Sequence, residues 1–432
     1  MENYNYNSST VIKYLRKVLN EINRGYIDSG MRSGFIMKRY VEKYKIDEEI
    51  GPKLVLLCLL KDIGLFYTDG SVPKDNPALA AASSYTFLKY CSPLDDAARP
   101  LLFYKAKYLE DIDSVDYYFG LLMTLINQVV MYDYQEYSPD EIIDLIKKDD
   151  RGLFHPDQVK KIIKLLKDDE DILEKLNDKS SLFIYETSNY ILKSNFTNDE
   201  LLGFIDTTNF AFEFHNHETL GHTITTAVIA RELAKKSRLP EGMVEEISLA
   251  ALLHDIGKIR VPKEVLCFPG RLEGEALKEM RRHVTYTKEI LENSFSYKIV
   301  EIASNHHEKL DGSGYPRGLR AVDLSVGDKI VAVADLASAL YCKRSYKKSF
   351  SPEQIISILE GDAKDGKIEM RIVKHLIDNF DEIMSLATKV EAKVIESYEK
   401  MQSKCKELSN SPSLKNFFNL EDKSTDIINE WK

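Results

Sequence analysis

The chain has 432 residues, 44% hydrophobic and 30% charged, with a net charge of -10. That composition is ordinary for a globular protein and too long for one core, so two domains are expected. The acidic balance disfavours the basic surface that long nucleic acid requires, leaving only a local basic patch for a small phosphate ligand.

Prolines and glycines are few, and apolar residues recur at helical spacing, as in Val228, Ile229, Leu233 and Ala234 or Ile355, Ile356 and Leu359; an all-α fold is expected. In chain order, Met1 to Thr10 is polar rather than signal-like, and the longest wholly apolar run, Leu54 to Leu60, is too short to cross a bilayer. The five cysteines are scattered without a CxxC pair, which argues against a disulfide framework or a zinc ribbon, so a cytoplasmic protein without membrane association is expected.

Two strings recur in the same order. Leu56-Leu57-Cys58-Leu59-Leu60-Lys61-Asp62-Ile63-Gly64 parallels Leu249-Ala250-Ala251-Leu252-Leu253-His254-Asp255-Ile256-Gly257, and Ser138-Pro139-Asp140-Glu141 parallels Ser351-Pro352-Glu353-Gln354. The ordered recurrence points to duplication of one helical domain. In the first copy Lys61 takes the place of His254, Lys105-Ala106 that of His306-His307, and Asn127 that of Asp335; such a copy is expected to be inactive, since an ammonium repels a metal ion. Asp381 to about Leu408 reads as one long helix, followed by a polar tail that carries Trp431.

The second copy gathers chemistry. Glu218 and His222 share one helix face, His254 and Asp255 end an apolar helical run, and His283, the His306-His307 pair and Asp335 follow, each bordered by apolar helical sequence. Imidazole and carboxylate together suit iron, manganese or zinc, and carboxylates can bridge two ions.

His254-Asp255-Ile256-Gly257-Lys258, followed by His306-His307-Glu308-Lys309-Leu310-Asp311-Gly312-Ser313-Gly314-Tyr315-Pro316, resembles the HD-GYP family, over roughly Glu213 to Phe380. The resemblance implies two or three divalent ions, iron or manganese, and hydrolysis of cyclic di-GMP to the linear dinucleotide or to GMP. It implies metal ligands at His222, His254, Asp255, His283, His306, His307 and Asp335, with Glu218 at the position of a third metal. The expected organisation is a degenerate HD-like domain at 1–167, a connector at 168–198, an HD-GYP domain at 199–383, and a C-terminal helix and tail at 384–432.

The expected chemistry is in-line attack on phosphorus by hydroxide generated at the ions, with His254 and Asp255 central and Asp255 bridging. Lys258 is expected on a phosphate oxygen. The loop through Gly312, Gly314 and Pro316 presents Tyr315 to a base or phosphate, and Arg344 and Lys347 match family positions that bind the dinucleotide. Ser338 stands where the family usually carries an acid, which leaves room for cyclic GMP-AMP as the substrate. The competing readings are an HD enzyme for another phosphoester and a cyclic-dinucleotide receptor without turnover; a homodimer and a signalling partner for the N-terminal half remain open.

Overall fold

The structure, a computed structural model, describes residues 8–22, 24–68, 76, 78–148, 152–169, 171–178, 182–193, 196–213, 217–342 and 350–418. The fold is all-α: among the described residues, extended pairing is limited to an isolated bridge between Asp311 and Arg320. No described helix is long and apolar enough to cross a membrane. The chain forms two compact units, one built on Asn209–Glu396 and one that joins Tyr6–Thr208 to Ser397–Lys432.

The helices start where the sequence supplies caps. Ser138, Ser325 and Ser351 each accept from the backbone N–H three residues on, and Glu141, Asp328 and Gln354 reach back to the cap, which satisfies donors that a helix start leaves open. In the unit that contains the N-terminal half, Leu54 to Leu60 are buried along helix Ile50–Leu60, which is why that run carries no amphipathic pattern. Residues 168–198, read from sequence as a connector, include helices Ile172–Asn177 and Leu182–Ile191; Ile172, Leu176, Phe183 and Ile191 are buried in this unit, and Phe183 meets Phe35 edge-on at 6.0 Å. The long helix runs over Phe380–Asn410, and the division between the units falls within it at Glu396. Beyond it, Phe417 packs against Phe103 and Tyr117 at ring distances of 5.0 and 5.4 Å, so this part of the tail belongs to the core of the N-terminal half. Trp431 lies outside the described residues.

One local arrangement occurs in both units. Gly257 N–H donates to Thr287 Oγ1 at 3.0 Å, and that hydroxyl donates to the His254 carbonyl at 2.9 Å. Gly64 N–H likewise donates to Ser84 Oγ at 3.0 Å, and Ser84 donates to the Lys61 carbonyl at 2.9 Å. Both glycines are required by close approach: an added Cβ would meet the His283 carbonyl oxygen at 2.0 Å in one unit and Ser84 N at 2.3 Å in the other.

Counting from these shared hydrogen bonds pairs positions of the two units. Ser29 stands as far before Lys61 as His222 before His254, and Ala80 as far before Ser84 as His283 before Thr287. The helix caps Ser114 and Ser325 align Asp335 with Thr124, which corrects the alignment to Asn127; that residue lies almost one turn further along helix Val115–Tyr134.

Lys61 Nζ donates to Asp62 Oδ2 and, at 3.1 Å, to Ser29 Oγ, while Lys105 Nζ lies 3.5 Å from Asp62 Oδ1. Burial opposes ionisation of Asp62, but the two ammonium groups outweigh it and hold its carboxyl below the ordinary value. Replacing Lys61 by methionine leaves the Asp62 carboxylate to Lys105 alone and is expected to cost about 3 kcal/mol at neutral pH, with Lys61→Met/Asp62→Asn recovering part of that loss. Because the folded value of Asp62 is lowered, its pairing stabilises above about pH 4 and fades as pH falls through the folded value. Urea unfolding should therefore show the gap between the parent chain and Lys61→Met narrowing in acid; a gap independent of pH would contradict the pairing. Thr287→Val is expected to lose about 1–3 kcal/mol, and Thr287→Ser much less, in the same measurement.

Candidate metal centre

Three helices of the Asn209–Glu396 unit end at this site, and each leaves carbonyls without helical partners. His254 caps helix Glu241–Leu253, His283 follows helix Gly274–Arg281, and His306 follows helix Tyr297–Ser304. Each imidazole uses a carbonyl of that last turn, the Met280 carbonyl also accepting from Arg282 N–H. Nδ1–H of His254 donates to the Ala251 carbonyl at 2.6 Å, that of His283 to Met280 at 2.7 Å, and that of His306 to Ala303 at 2.7 Å. A carbonyl only accepts, so the hydrogen is on Nδ1 and the Nε2 lone pair of each ring is left for the interior.

His222 comes from within helix His217–Lys236 and Asp335 from helix Val326–Tyr341. The two carboxylates divide the imidazoles between their oxygens. Asp255 Oδ2 lies 3.2 Å from His254 Nε2 and 3.7 Å from His222 Nε2, while its Oδ1 lies 3.4 Å from His283 Nε2 and 3.9 Å from His306 Nε2. Asp335 does the same, with Oδ1 at 3.2 Å from His222 Nε2 and 3.8 Å from His254 Nε2, and Oδ2 at 3.7 Å from His307 Nδ1. Two sets of donor atoms, one on His222, His254 and Asp255 and the other on His283, His306 and His307, each fall within 4.8 Å.

Burial dominates the electrostatics. It depresses His222, pushes His283 down to about 4 and His307 to about 3, and puts His306 well below the usual histidine range, so these rings are neutral donors at neutral pH. His254 differs: burial acts to lower it, but Asp255 and Asp335 outweigh burial and raise it. For Asp255 and Asp335 burial opposes the charge, yet the surrounding histidines, with Lys258 for Asp255, keep both carboxyls well below the ordinary value. His254 Nε2 is fully buried without a well-aligned hydrogen-bond partner, and the two carboxylates that raise His254 draw positive charge, a proton or a metal ion, to that position. Four neutral imidazoles beside ionised carboxylates fit divalent cations.

Lys258 lies close to this set but is engaged: its Nζ donates to Asp255 Oδ2. Tyr315 stacks at 4.8 Å on His307 with 34° between the rings. Its loop is drawn onto the site by Tyr315 N–H, which donates to the His307 carbonyl at 3.2 Å, and by buried Glu308, whose carboxylate accepts from Arg317 and Leu319 N–H at 2.7 and 2.9 Å. Gly314 fits only as glycine, since a Cβ would lie 2.4 Å from Lys309 N. Ser338, weighed for base recognition, is fully buried and bonded to His222, which removes it from any base-reading surface. Arg344, Lys347 and the side chain of Glu218 lie outside the described residues.

Residues that sequence reasoning missed include Arg281, whose guanidinium sits 4.9 Å from the Tyr315 ring centre, and the hydroxyl of Thr287; Ser338 was noted, but not its bond to His222. Charge next to His283 was the available signal for Arg281; the Thr287 hydroxyl carried none.

Residues 207–372 match the family model described as HD domain. A 3'3'-cGAMP-specific phosphodiesterase 2 of Vibrio cholerae is 37% identical over 179 residues, covering 41% of this chain and 34% of the relative. A cyclic di-GMP phosphodiesterase of Thermotoga maritima is 38% identical over 165 residues, covering 38% of this chain and 45% of the relative. The chain thus spans less than half of the length of these curated relatives. A crystal structure of a cyclic GMP-AMP specific phosphodiesterase from V. cholerae aligns over 87% of this chain and 97% of that one, with a TM-score of 0.55 and 17% identity, a likeness of fold.

Proposed function

Starting from the match to the HD domain family at residues 207–372, we propose that the chain is a metal-dependent phosphodiesterase of the HD-GYP type that hydrolyses a cyclic dinucleotide. The observation that carries this is the pair of carboxylates, Asp255 and Asp335, each with one oxygen toward each group of imidazoles. The proposed ligands are His222, His254, Asp255, His283, His306, His307 and Asp335, holding two ions, iron or manganese, with Glu218 available for a third. When bound, such ions supply Lewis acidity toward phosphate oxygens and acidify water toward neutral pH. Asp255 and Asp335 hold the two groups in register and stay ionised. Lys258 neutralises Asp255 and, when that contact opens, offers an ammonium to a phosphate oxygen. Tyr315 and Arg281 form an aromatic and cationic rim suited to a base and a phosphate, with Arg344 and Lys347 as further substrate contacts.

Cyclic di-GMP is the first substrate, with cyclic GMP-AMP second because relatives of both names match the segment. The free thiols of Cys58, Cys91, Cys267, Cys342 and Cys405 suit the cytoplasm. The N-terminal half is read as a degenerate HD copy in which the Lys61 ammonium stands where a metal would.

Manganese- or iron-loaded chain is expected to turn over at least one of the two dinucleotides, with His254→Ala and Asp255→Ala reducing turnover more than about 100-fold and metal content falling with it. Helicity should be unchanged. Tight binding without product would favour the receptor reading, and full metal content in His254→Ala/Asp255→Ala would place metal in the N-terminal half. Arg281→Ala is expected to raise KM about tenfold at constant metal content, a loss of roughly 1.4 kcal/mol; an unchanged KM would remove Arg281 from the substrate site.

A further inference from the structure

His254, His283 and His306 take their Nδ1 acceptors from carbonyls at the ends of helices. His222 has no such option. It lies inside helix His217–Lys236, where the carbonyls of the preceding turn are committed to helical hydrogen bonds. The acceptor comes instead from another helix: Ser338 Oγ, on Val326–Tyr341, lies 2.9 Å from His222 Nδ1. The Ser338 hydroxyl has one hydrogen, which it donates to the His222 carbonyl at 3.0 Å, so its lone pair receives the ring N–H. Both residues are buried, with Ser338 fully so, and water does not replace this contact.

We propose that Ser338 is a positioning residue that fixes the tautomer and ring orientation of His222, and through it the hold on the cation shared by His222, His254, Asp255 and Asp335. Ser338 does this from the same face of the helix that presents Asp335, one turn earlier, so one helix supplies both a carboxylate to the site and the support for an imidazole facing that carboxylate. The acceptor is neutral, as are the carbonyls that serve His254, His283 and His306, but it is a side chain and a substitution can remove it. This inference rests on the metal reading above.

The test is a titration of the metal-free full chain with manganese, following free Mn2+ by its electron paramagnetic resonance signal, with the melting temperature of each metal-free variant as control. Ser338→Ala is expected to weaken one class of sites by about 10–100-fold while leaving the other class in place. Ser338→Thr, which keeps the hydroxyl, should restore most of the affinity. If Ser338→Ala does not fold, Ser338→Cys fills the same space with a poor acceptor and should show the same loss. A Ser338→Ala or Ser338→Cys isotherm that superimposes on the parent overturns the role of Ser338, as does a loss that Ser338→Thr fails to restore. A parent chain that takes up no manganese or iron overturns the metal reading itself.

Discussion

The hydrogen bond from an imidazole Nδ1 to a carbonyl at the end of the helix before it is the interaction on which the rest of the site depends. It solves two problems at once. The last turn of a helix has carbonyls without partners, and a buried histidine must settle which nitrogen carries its hydrogen. By joining the two, Ala251, Met280 and Ala303 direct the Nε2 lone pairs of His254, His283 and His306 to a common interior. The helix ends carry partial negative charge, which adds to the pull of Asp255 and Asp335 on a cation. Site and scaffold are therefore one design: removing the helix ends would remove the tautomers.

Charge compensation explains how a related arrangement persists without those imidazoles. In the Asn209–Glu396 unit, buried carboxylates face histidines and a lysine, and the donor set is open toward further positive charge. In the N-terminal half the buried Asp62 faces two ammonium groups supplied by the chain itself, and the glycine and hydroxyl clamp around it is kept. The clamp occurs beside imidazoles in one unit and without them in the other.

Much of this was legible in the sequence for specific physical reasons. The helical class followed from apolar spacing, and the gathering of imidazoles and carboxylates stood out because such groups are costly to bury without a task, while their reading as a ligand set came from the family resemblance. The caps at Ser138, Ser325 and Ser351 follow simple local rules. What stayed hidden depends on distant pairing. Nothing local marks Ser338 as the partner of His222, and the tail around Phe417 gave no sign that it packs on Phe103 and Tyr117, because amphipathic spacing states that a face is buried and not against what. The alignment to Asn127 turned on a related matter: counting from the caps at Ser114 and Ser325 pairs Asp335 with Thr124 instead.

The central claim is that inward-facing nitrogens and shared carboxylates hold divalent cations. It is tested most directly by anomalous diffraction from crystals of the chain grown with manganese. The account predicts anomalous peaks between Asp255 and Asp335, in contact with Nε2 of His222, His254, His283 and His306. Manganese-soaked crystals with no peak there, or with these rings turned to offer Nδ1, would contradict it.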